Sequence, residues 1–122
     1  MTPKVFGPGD AIFERATAQY VCSFIDHTGA AIDAGAITEI LATLRPPGGA
    51  AINGRDAQSV LNLNGGALAV DGTFTLTLST DDTVAVGSLG LQARVLTLEV
   101  TFDTGFLPHE VHFSIRQLDD IS

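Results

Sequence analysis

The chain has 122 residues, of which 45% are hydrophobic, and a formal net charge of −8 from six Lys and Arg residues against fourteen Asp and Glu residues. This length predicts one domain with its own core. No apolar stretch approaches the roughly 18 residues of a membrane-spanning helix, so we expect a soluble domain without a membrane partner. The acidic balance repels phosphate backbones, which argues against a nucleic-acid partner.

Residues 1–9 contain two prolines and show no hydrophobic periodicity, which predicts an extended N-terminal arm. The arm carries Val5 and Phe6, two apolar side chains able to anchor in a groove of a partner. It lacks the charged and apolar regions of a secretory signal, and the single Cys22 can form no internal disulfide. We therefore expect synthesis in a reducing cytoplasm.

Residues 10–118 show the two-residue alternation of half-buried strands, which predicts one domain of about seven strands. In chain order, the alternating runs are residues 11–26, 37–45, 67–79, 95–102 and 109–116. Asp71-Gly72 predicts a hairpin turn within the third run, and the last two runs predict a terminal hairpin. The side chains predicted to face the core are Ala18, Tyr20, Cys22, Phe24, Ile40, Ala42, Leu44, Phe74, Leu76, Leu78, Leu96, Leu98, Val100, Phe102, Val111, Phe113 and Ile115.

Two segments break the alternation. In residues 53–62, polar residues precede an apolar pair, which predicts one or two helical turns across the end of the strands. Residues 81–84 predict a further single turn that bridges the two sheets. Residues 119–122 predict an acidic tail. The economical topology is an all-β, immunoglobulin-like antiparallel sandwich with one or two short helical turns, and a closed barrel is the alternative.

The irregular insertion at residues 50–64 is where a sandwich often presents its specific contacts. Its only positive charge is Arg55, which in an acidic protein could pair with a carboxylate of a partner, with Asp56 beside it. The alternative is that Arg55 and Asp56 only satisfy the backbone of their own loop. The predicted partner-binding residues are thus Val5, Phe6, Arg55 and Asp56.

No set of residues predicts catalysis, cofactor binding or metal binding. His109 and His112 are three residues apart on a strand, which places their imidazoles on opposite faces. Cys22 lies in the inward register of its strand, where a small buried side chain is expected rather than a nucleophile. The adjacent Asp81 and Asp82 lack the ligand spacing of a calcium loop. We therefore expect a protein that is not an enzyme.

One stretch carries a family resemblance. The pattern G-x-h-x-h-x-h-S-x-x-D-T, in which h is apolar, closes one hairpin and opens the next connection. The matching residues are Gly72, Phe74, Leu76, Leu78, Ser79, Asp82 and Thr83. Together with the order of segments over residues 10–118, this pattern resembles the small immunoglobulin-like domains of tailed-phage virion proteins. These include head-decorating or cement proteins and the domain at the start of some baseplate upper proteins.

The resemblance implies a structural component of a virion, made in the host cytoplasm and held in many copies by contacts with the major capsid protein. A neck, tail or baseplate adaptor bound to neck or tail proteins is the alternative location. A different class is a cell-surface or carbohydrate-binding immunoglobulin-like module, which would usually carry an exposed aromatic platform; the chain has no Trp and one Tyr. An accessory domain of an enzyme is a third possibility.

Overall fold

The computed structural model describes residues 4–26, 28–84, 91–103 and 105–116. Within these ranges the chain forms nine strands and one 3-10 helix, Ala34–Ala36. The strands are β1 (Lys4–Phe6), β2 (Ala11–Phe13), β3 (Ala18–Ser23), β4 (Ile37–Arg45), β5 (Gln58–Ser59), β6 (Gly66–Leu68), β7 (Thr73–Leu78), β8 (Leu91–Phe102) and β9 (Gly105–Arg116). No helix in this part of the chain is long and apolar enough to span a membrane.

The strands form two sheets. The four-stranded sheet has the order β1-β3-β7-β6, and the five-stranded sheet has the order β2-β9-β8-β4-β5. Neighbouring strands are antiparallel except at one edge of each sheet, where β1 is parallel to β3 and β2 is parallel to β9. The prediction of an all-β sandwich is confirmed, but both sheets are mixed rather than antiparallel throughout.

The terminal hairpin that the sequence predicts is formed by β8 and β9, which are the longest strand pair of the described residues. Leu96 lies opposite Val111 in its register, and both side chains are buried. The hairpin is longer than predicted, since β8 begins at Leu91 and β9 already begins at Gly105. Pro108 lies inside β9. At this position β9 is paired with β8 on one side only, because its pairing with β2 begins at Ser114. The missing N–H of Pro108 therefore costs no hydrogen bond of the sheet.

The inward side chains of both sheets form one core. Phe74, Leu76 and Leu78 on β7 are fully buried, as are Leu96, Leu98 and Val100 on β8. The predicted register is therefore confirmed, because a slip of one residue would have exposed every one of these side chains. Of the predicted core residues, Cys22 and Phe102 are only partly buried and pack against the rim of the core.

The predicted boundary between an arm at 1–9 and a sandwich at 10–118 is wrong for residues 4–6. These residues form β1, and the Phe6 side chain is 3% exposed, with its ring centroid 4.6 Å from that of Phe113 and 5.6 Å from that of Tyr20. The chain then turns at residues 7–10, where the Asp10 carboxylate accepts a hydrogen bond from the Gly7 N–H, and crosses to the five-stranded sheet. Three residues are too few to show a periodicity, which is why the strand escaped prediction.

The predicted helical turns at 53–62 are also wrong. Asn53, Ala57 and Asn62 all have positive φ, a conformation that a right-handed helix does not allow. Instead, β5 extends the five-stranded sheet beside β4, and Val60 is buried in the core. Residues 79–83 form a turn between the sheets, with the Asp82 N–H donating to the Ser79 carbonyl. The predicted tail at 119–122 lies outside the described residues.

Candidate functional site

The outer face of the four-stranded sheet carries a patch that we call the threonine–valine face. Its members are the outward-facing residues of β1, β3, β6 and β7, which are Val5, Gln19, Val21, Ser23, Ala67, Thr73, Thr75 and Thr77. The alternate residues of the same strands, including Tyr20 and Leu76, face the core. The face is thus the reverse side of the core sheet and follows from the same two-residue alternation.

The rows of the threonine–valine face follow from strand register. Val5, Gln19 and Thr77 form one row, and Val21, Thr75 and Ala67 form the next. Gln19 donates a hydrogen bond across the strands to the Thr77 hydroxyl, at 3.4 Å. Val5 is 57% exposed and Val21 40% exposed. Side chains opposite each other on one face are in contact range, so the two valines and the threonines form a continuous surface.

No member of the threonine–valine face is charged, although the chain carries fourteen acidic residues. The outer face of the five-stranded sheet differs. It includes Glu99 and Glu110 on neighbouring strands, and the exposed Glu110 carboxylate lies 2.7 Å from the His112 ring. The two outer faces are therefore electrostatically distinct, and the uncharged face is the one a partner can cover without removing carboxylates from water.

Arg55 is not an exposed contact residue, contrary to the prediction. The residue is 5% exposed, and its guanidinium forms a two-pronged ion pair with the Asp82 carboxylate: Nε lies 2.7 Å from Oδ1 and Nη2 lies 2.9 Å from Oδ2. The alternative prediction, that Arg55 serves only its own loop, is also wrong, because Asp82 lies in a different connection. Asp56 remains exposed on the loop, and its backbone N–H donates to the Gly54 carbonyl.

Asp82 is the centre of the network around that ion pair. Its carboxylate also accepts hydrogen bonds from the Asn53 side chain at 2.9 Å and from the Ser79 backbone N–H at 2.8 Å. Burial by itself raises the pKa of Asp82, but the bonds from Arg55, Asn53 and Ser79, with the charge of Arg55, outweigh that effect and hold the pKa below its usual range. The network ties the 46–57 connection to the turn that follows β7.

The structure explains the end of the motif that carries the family resemblance. Ser79, Asp82 and Thr83 are the three residues that close the turn between the sheets. The Thr83 hydroxyl is fully buried and donates to the Ala16 carbonyl at 2.8 Å, which fastens the turn to the start of β3. The motif therefore marks a turn that is held from both sides, and it is the sequence signal that could have identified Asp82 as a structural residue.

A polar cleft opens beside the ion pair. Its volume is about 410 Å3, and it is lined by Asn53, Arg55, Gln58, Asn64, Gly65, Thr77 and Ser79. Gln58 Oε1 accepts a hydrogen bond from Arg55 Nη1 at 3.1 Å, and Asn64 Nδ2 donates to the Ser59 carbonyl at 2.8 Å. Thr77 belongs both to this cleft and to the threonine–valine face. The cleft and the face are thus neighbouring surfaces at one end of the four-stranded sheet.

The two histidines considered as metal ligands each contact a different side chain. As predicted, His109 and His112 lie on opposite faces of β9: the Tyr20 hydroxyl lies 2.6 Å from His109 Nε2, whereas His112 pairs with Glu110. Burial lowers the pKa of His109 and raises the pKa of Cys22 from 9.0 to about 12. Among the residues with described positions, no group of three or more His, Cys, Asp or Glu side chains is arranged to hold a metal ion.

Of the predicted partner-binding residues, the structure brings none together into one site. Val5 lies on the threonine–valine face, Phe6 lies in the core, Arg55 lies in the buried ion pair and Asp56 lies on an exposed loop. No protein-family model matches the chain, and neither a curated protein nor a solved structure matches it significantly.

Proposed function

We propose that this protein is a non-enzymatic structural component of a tailed-phage virion. In this proposal it decorates or cements the capsid and docks on other virion proteins through the threonine–valine face. The virion assignment comes from the resemblance carried by residues 72–83. The docking assignment comes from one observation: the outer face of the four-stranded sheet is free of charge and carries two exposed valines.

The proposal includes an immunoglobulin-like topology. If β3, β4, β6, β7, β8 and β9 are matched with strands B, C, D, E, F and G, the sheets contain B-E-D and G-F-C in the order of that fold. β1 takes the place of strand A, but it runs parallel to β3. Cys22 is a free thiol and the single cysteine of the chain, so the inter-sheet disulfide of antibody domains has no counterpart here.

The size of the face favours a repetitive assembly. β3 and β7 have six residues each and β1 and β6 three each, so at roughly 3.3 Å by 4.8 Å per residue the face covers about 300 Å2. A stable pair of proteins buries about 800 Å2 on each partner, so one such contact is too small to hold a complex alone. A contact of this size becomes effective when neighbouring copies on one particle also bind one another, because the linked contacts then act together. This is the situation of a capsid-decorating protein.

The state of the two most reactive side chains considered, Cys22 and His109, supports the non-enzymatic part of the proposal. The Cys22 thiol stays protonated near neutral pH because its pKa is raised to about 12, and the His109 ring is occupied by the Tyr20 hydroxyl. Both features suit a structural role in the rim of the core.

The test uses two matched substitutions. Thr75→Lys places a charge at the centre of the threonine–valine face, between Val21 and Ala67, whereas Thr97→Lys places the same charge on the outer face of the five-stranded sheet. Tagged proteins are produced in the infected host, particles are purified on a density gradient, and the incorporated protein is quantified by mass spectrometry. Thermal melts first establish that both variants are folded.

We expect the wild type and Thr97→Lys to enter particles, with Thr75→Lys reduced at least tenfold because burying an unpaired lysine opposes docking. If the wild type is missing from purified particles, the virion assignment is wrong. If Thr75→Lys enters particles as well as the wild type does, the virion assignment stands and the docking face lies elsewhere.

A further inference from the structure

The polar cleft beside the Arg55–Asp82 ion pair has the properties of a binding site for a small hydrophilic molecule. All its lining residues are polar or glycine: Asn53, Arg55, Gln58, Asn64, Gly65, Thr77 and Ser79. Its volume of about 410 Å3 falls in the range of ligand sites, but most such sites are lined by apolar side chains. An apolar ligand would find no Val, Leu, Ile, Met or aromatic side chain in the lining to pack against.

The charge in the cleft is already compensated. Arg55 is the only ionic side chain in the lining, and its guanidinium is paired with the Asp82 carboxylate, whose side chain is fully buried behind it. An anionic ligand would compete with that buried carboxylate and would approach a chain of net charge −8. A cationic ligand would find no carboxylate in the lining. The cleft therefore favours a ligand without net charge.

Three side-chain amides in the cleft are each oriented by one hydrogen bond. Asn53 Nδ2 donates to Asp82, Gln58 Oε1 accepts from Arg55, and Asn64 Nδ2 donates to the Ser59 carbonyl. Each bond fixes one end of the amide and leaves the other end available: Oδ1 of both asparagines as acceptors and Nε2 of Gln58 as a donor. Side chains that are already oriented lose little conformational entropy when a ligand binds.

Glycine is required in the lining where the backbone at residue 65 packs against β7. Gly65 has φ +93°, and a Cβ at this position would lie 2.7 Å from the Thr77 carbonyl oxygen and 3.4 Å from Arg55 Nη2. A side chain at residue 65 would thus intrude on the wall formed by the guanidinium and β7. The backbone reaches this conformation at no steric cost only with glycine.

From these observations we infer that the cleft binds a neutral polyhydroxylated molecule, namely a saccharide. A sugar hydroxyl both donates and accepts hydrogen bonds, so neighbouring hydroxyls complement a set of two acceptors and one donor. With no aromatic ring in the lining, binding rests on hydrogen bonds that replace those to water, and we expect dissociation constants in the millimolar range. The inference rests on the cleft alone and does not depend on the virion assignment.

The experiment follows the side-chain NH2 signals of Asn53, Gln58 and Asn64 in two-dimensional nitrogen–proton NMR spectra. The isolated protein is titrated with glucose, galactose and N-acetylglucosamine, each up to about 100 mM, well above a millimolar dissociation constant. Inorganic phosphate at the same ionic strength tests the anionic alternative. We expect saturable shifts at these three amides with at least one of the sugars and none with phosphate.

Two asparagines provide a matched control. Asn62 and Asn64 are both exposed, both have positive φ (61° and 52°), and each side chain makes one 2.8 Å hydrogen bond to the backbone, with Leu68 N–H and the Ser59 carbonyl respectively. Only Asn64 lines the cleft. Asn64→Ala should weaken sugar binding about tenfold, the loss expected for one hydrogen bond, whereas Asn62→Ala should change it less than twofold.

A second variant, Gln58→Met, removes the donor while keeping the length of the side chain, and it should weaken binding to a similar extent. Resonance dispersion shows that each variant is folded. The inference is overturned by any of three results: no saturable shift with the three sugars, shifts with phosphate alone, or equal affinities for the Asn62→Ala and Asn64→Ala proteins.

Discussion

The Arg55–Asp82 ion pair makes the sharpest stability prediction, and Asp82→Ala is the perturbation that isolates it. Asp82 is 1% exposed and Arg55 5% exposed, so the guanidinium left behind is largely shielded from bulk water. The substitution also removes the acceptor of the Asn53 side chain and of the Ser79 N–H. The Ser79 hydroxyl loses this acceptor too, so the change leaves one buried charge and three neutral donors without Asp82.

The magnitude follows from these losses. Removing one partner of a buried ion pair typically costs about 3–5 kcal/mol, and an unsatisfied buried donor adds about 1–3 kcal/mol. Ser79 and Asn53 are both exposed, so hydrogen bonds to water replace much of what these donors lose. We expect Asp82→Ala to lower the free energy of unfolding by about 3–5 kcal/mol at pH 7. That is a large share of the roughly 5–15 kcal/mol that stabilises a domain of this kind.

Urea denaturation at equilibrium measures the effect, and Asp81→Ala is the matched control. Asp81 is the preceding residue, carries the same side chain and is exposed, so its truncation should cost less than about 0.5 kcal/mol. If the Asp82→Ala and Asp81→Ala proteins differ by less than 1 kcal/mol in free energy of unfolding, which would be roughly a third of the expected minimum, the buried pair does not stabilise this fold as argued.

The pH dependence provides a second readout of the same pair. The pKa of Asp82 is lower in the folded state than its ordinary value of 3.8, so folding favours the carboxylate form. The stabilisation is therefore complete above the ordinary value and is lost as the pH falls through the folded-state pKa. Wild-type stability should decrease on acidification below pH 3.8, and the stability difference between the wild type and Asp82→Ala should shrink over the same interval.

Three further predictions concern the core and its rim. Leu98→Ala should cost about 2–5 kcal/mol and Glu99→Ala, on the other face of β8, less than about 1 kcal/mol; the reverse order in urea melts would mean that the register is wrong. Phe6→Ala should lower the free energy of unfolding by about 3–5 kcal/mol and Val5→Ala by less than about 1 kcal/mol, since only Phe6 is buried. Equal stabilities of the two variants would mean that residues 4–6 form a free arm and not a strand. With its pKa raised from 9.0 to about 12, Cys22 should react with iodoacetamide at pH 8 roughly a thousandfold more slowly in the native protein than in urea, as followed by mass spectrometry.

The two-residue periodicity of the sequence was sufficient to predict most strands of the sandwich. Thr73 to Leu78 and Val95 to Phe102 alternate between apolar and polar residues, and a strand with one buried face requires that pattern. The terminal hairpin and its inward register were predictable for that reason. The parallel pairings of β1 and β2 were not, because each strand has three residues and its neighbour in the sheet is distant in sequence.

The role of Arg55 could not be read from its surroundings in the sequence. Its partner Asp82 is 27 residues away, and the two meet only because the 46–57 connection and the turn after β7 reach the same end of the sandwich. An arginine in an irregular segment of an acidic protein is predicted to be an exposed contact residue until the topology is known. In contrast, the exposed position of Val5 is compatible with the predicted contact role, although a strand rather than an arm presents it.

The distribution of charge between the two sheets decides which of them can be covered most easily. A partner on the five-stranded sheet would have to desolvate Glu99 and the Glu110–His112 pair, and an unpaired buried carboxylate costs several kcal/mol. On the threonine–valine face, the same coverage removes only hydroxyls, one amide and two valines from water, and a hydroxyl can turn to find a new acceptor. In the docking that we propose for this chain of net charge −8, the charged sheet therefore stays in solvent and the four-stranded sheet faces the partner. The polar cleft shares Thr77 with that face, so it would open beside the contact rather than on the opposite, solvent-facing side of the domain.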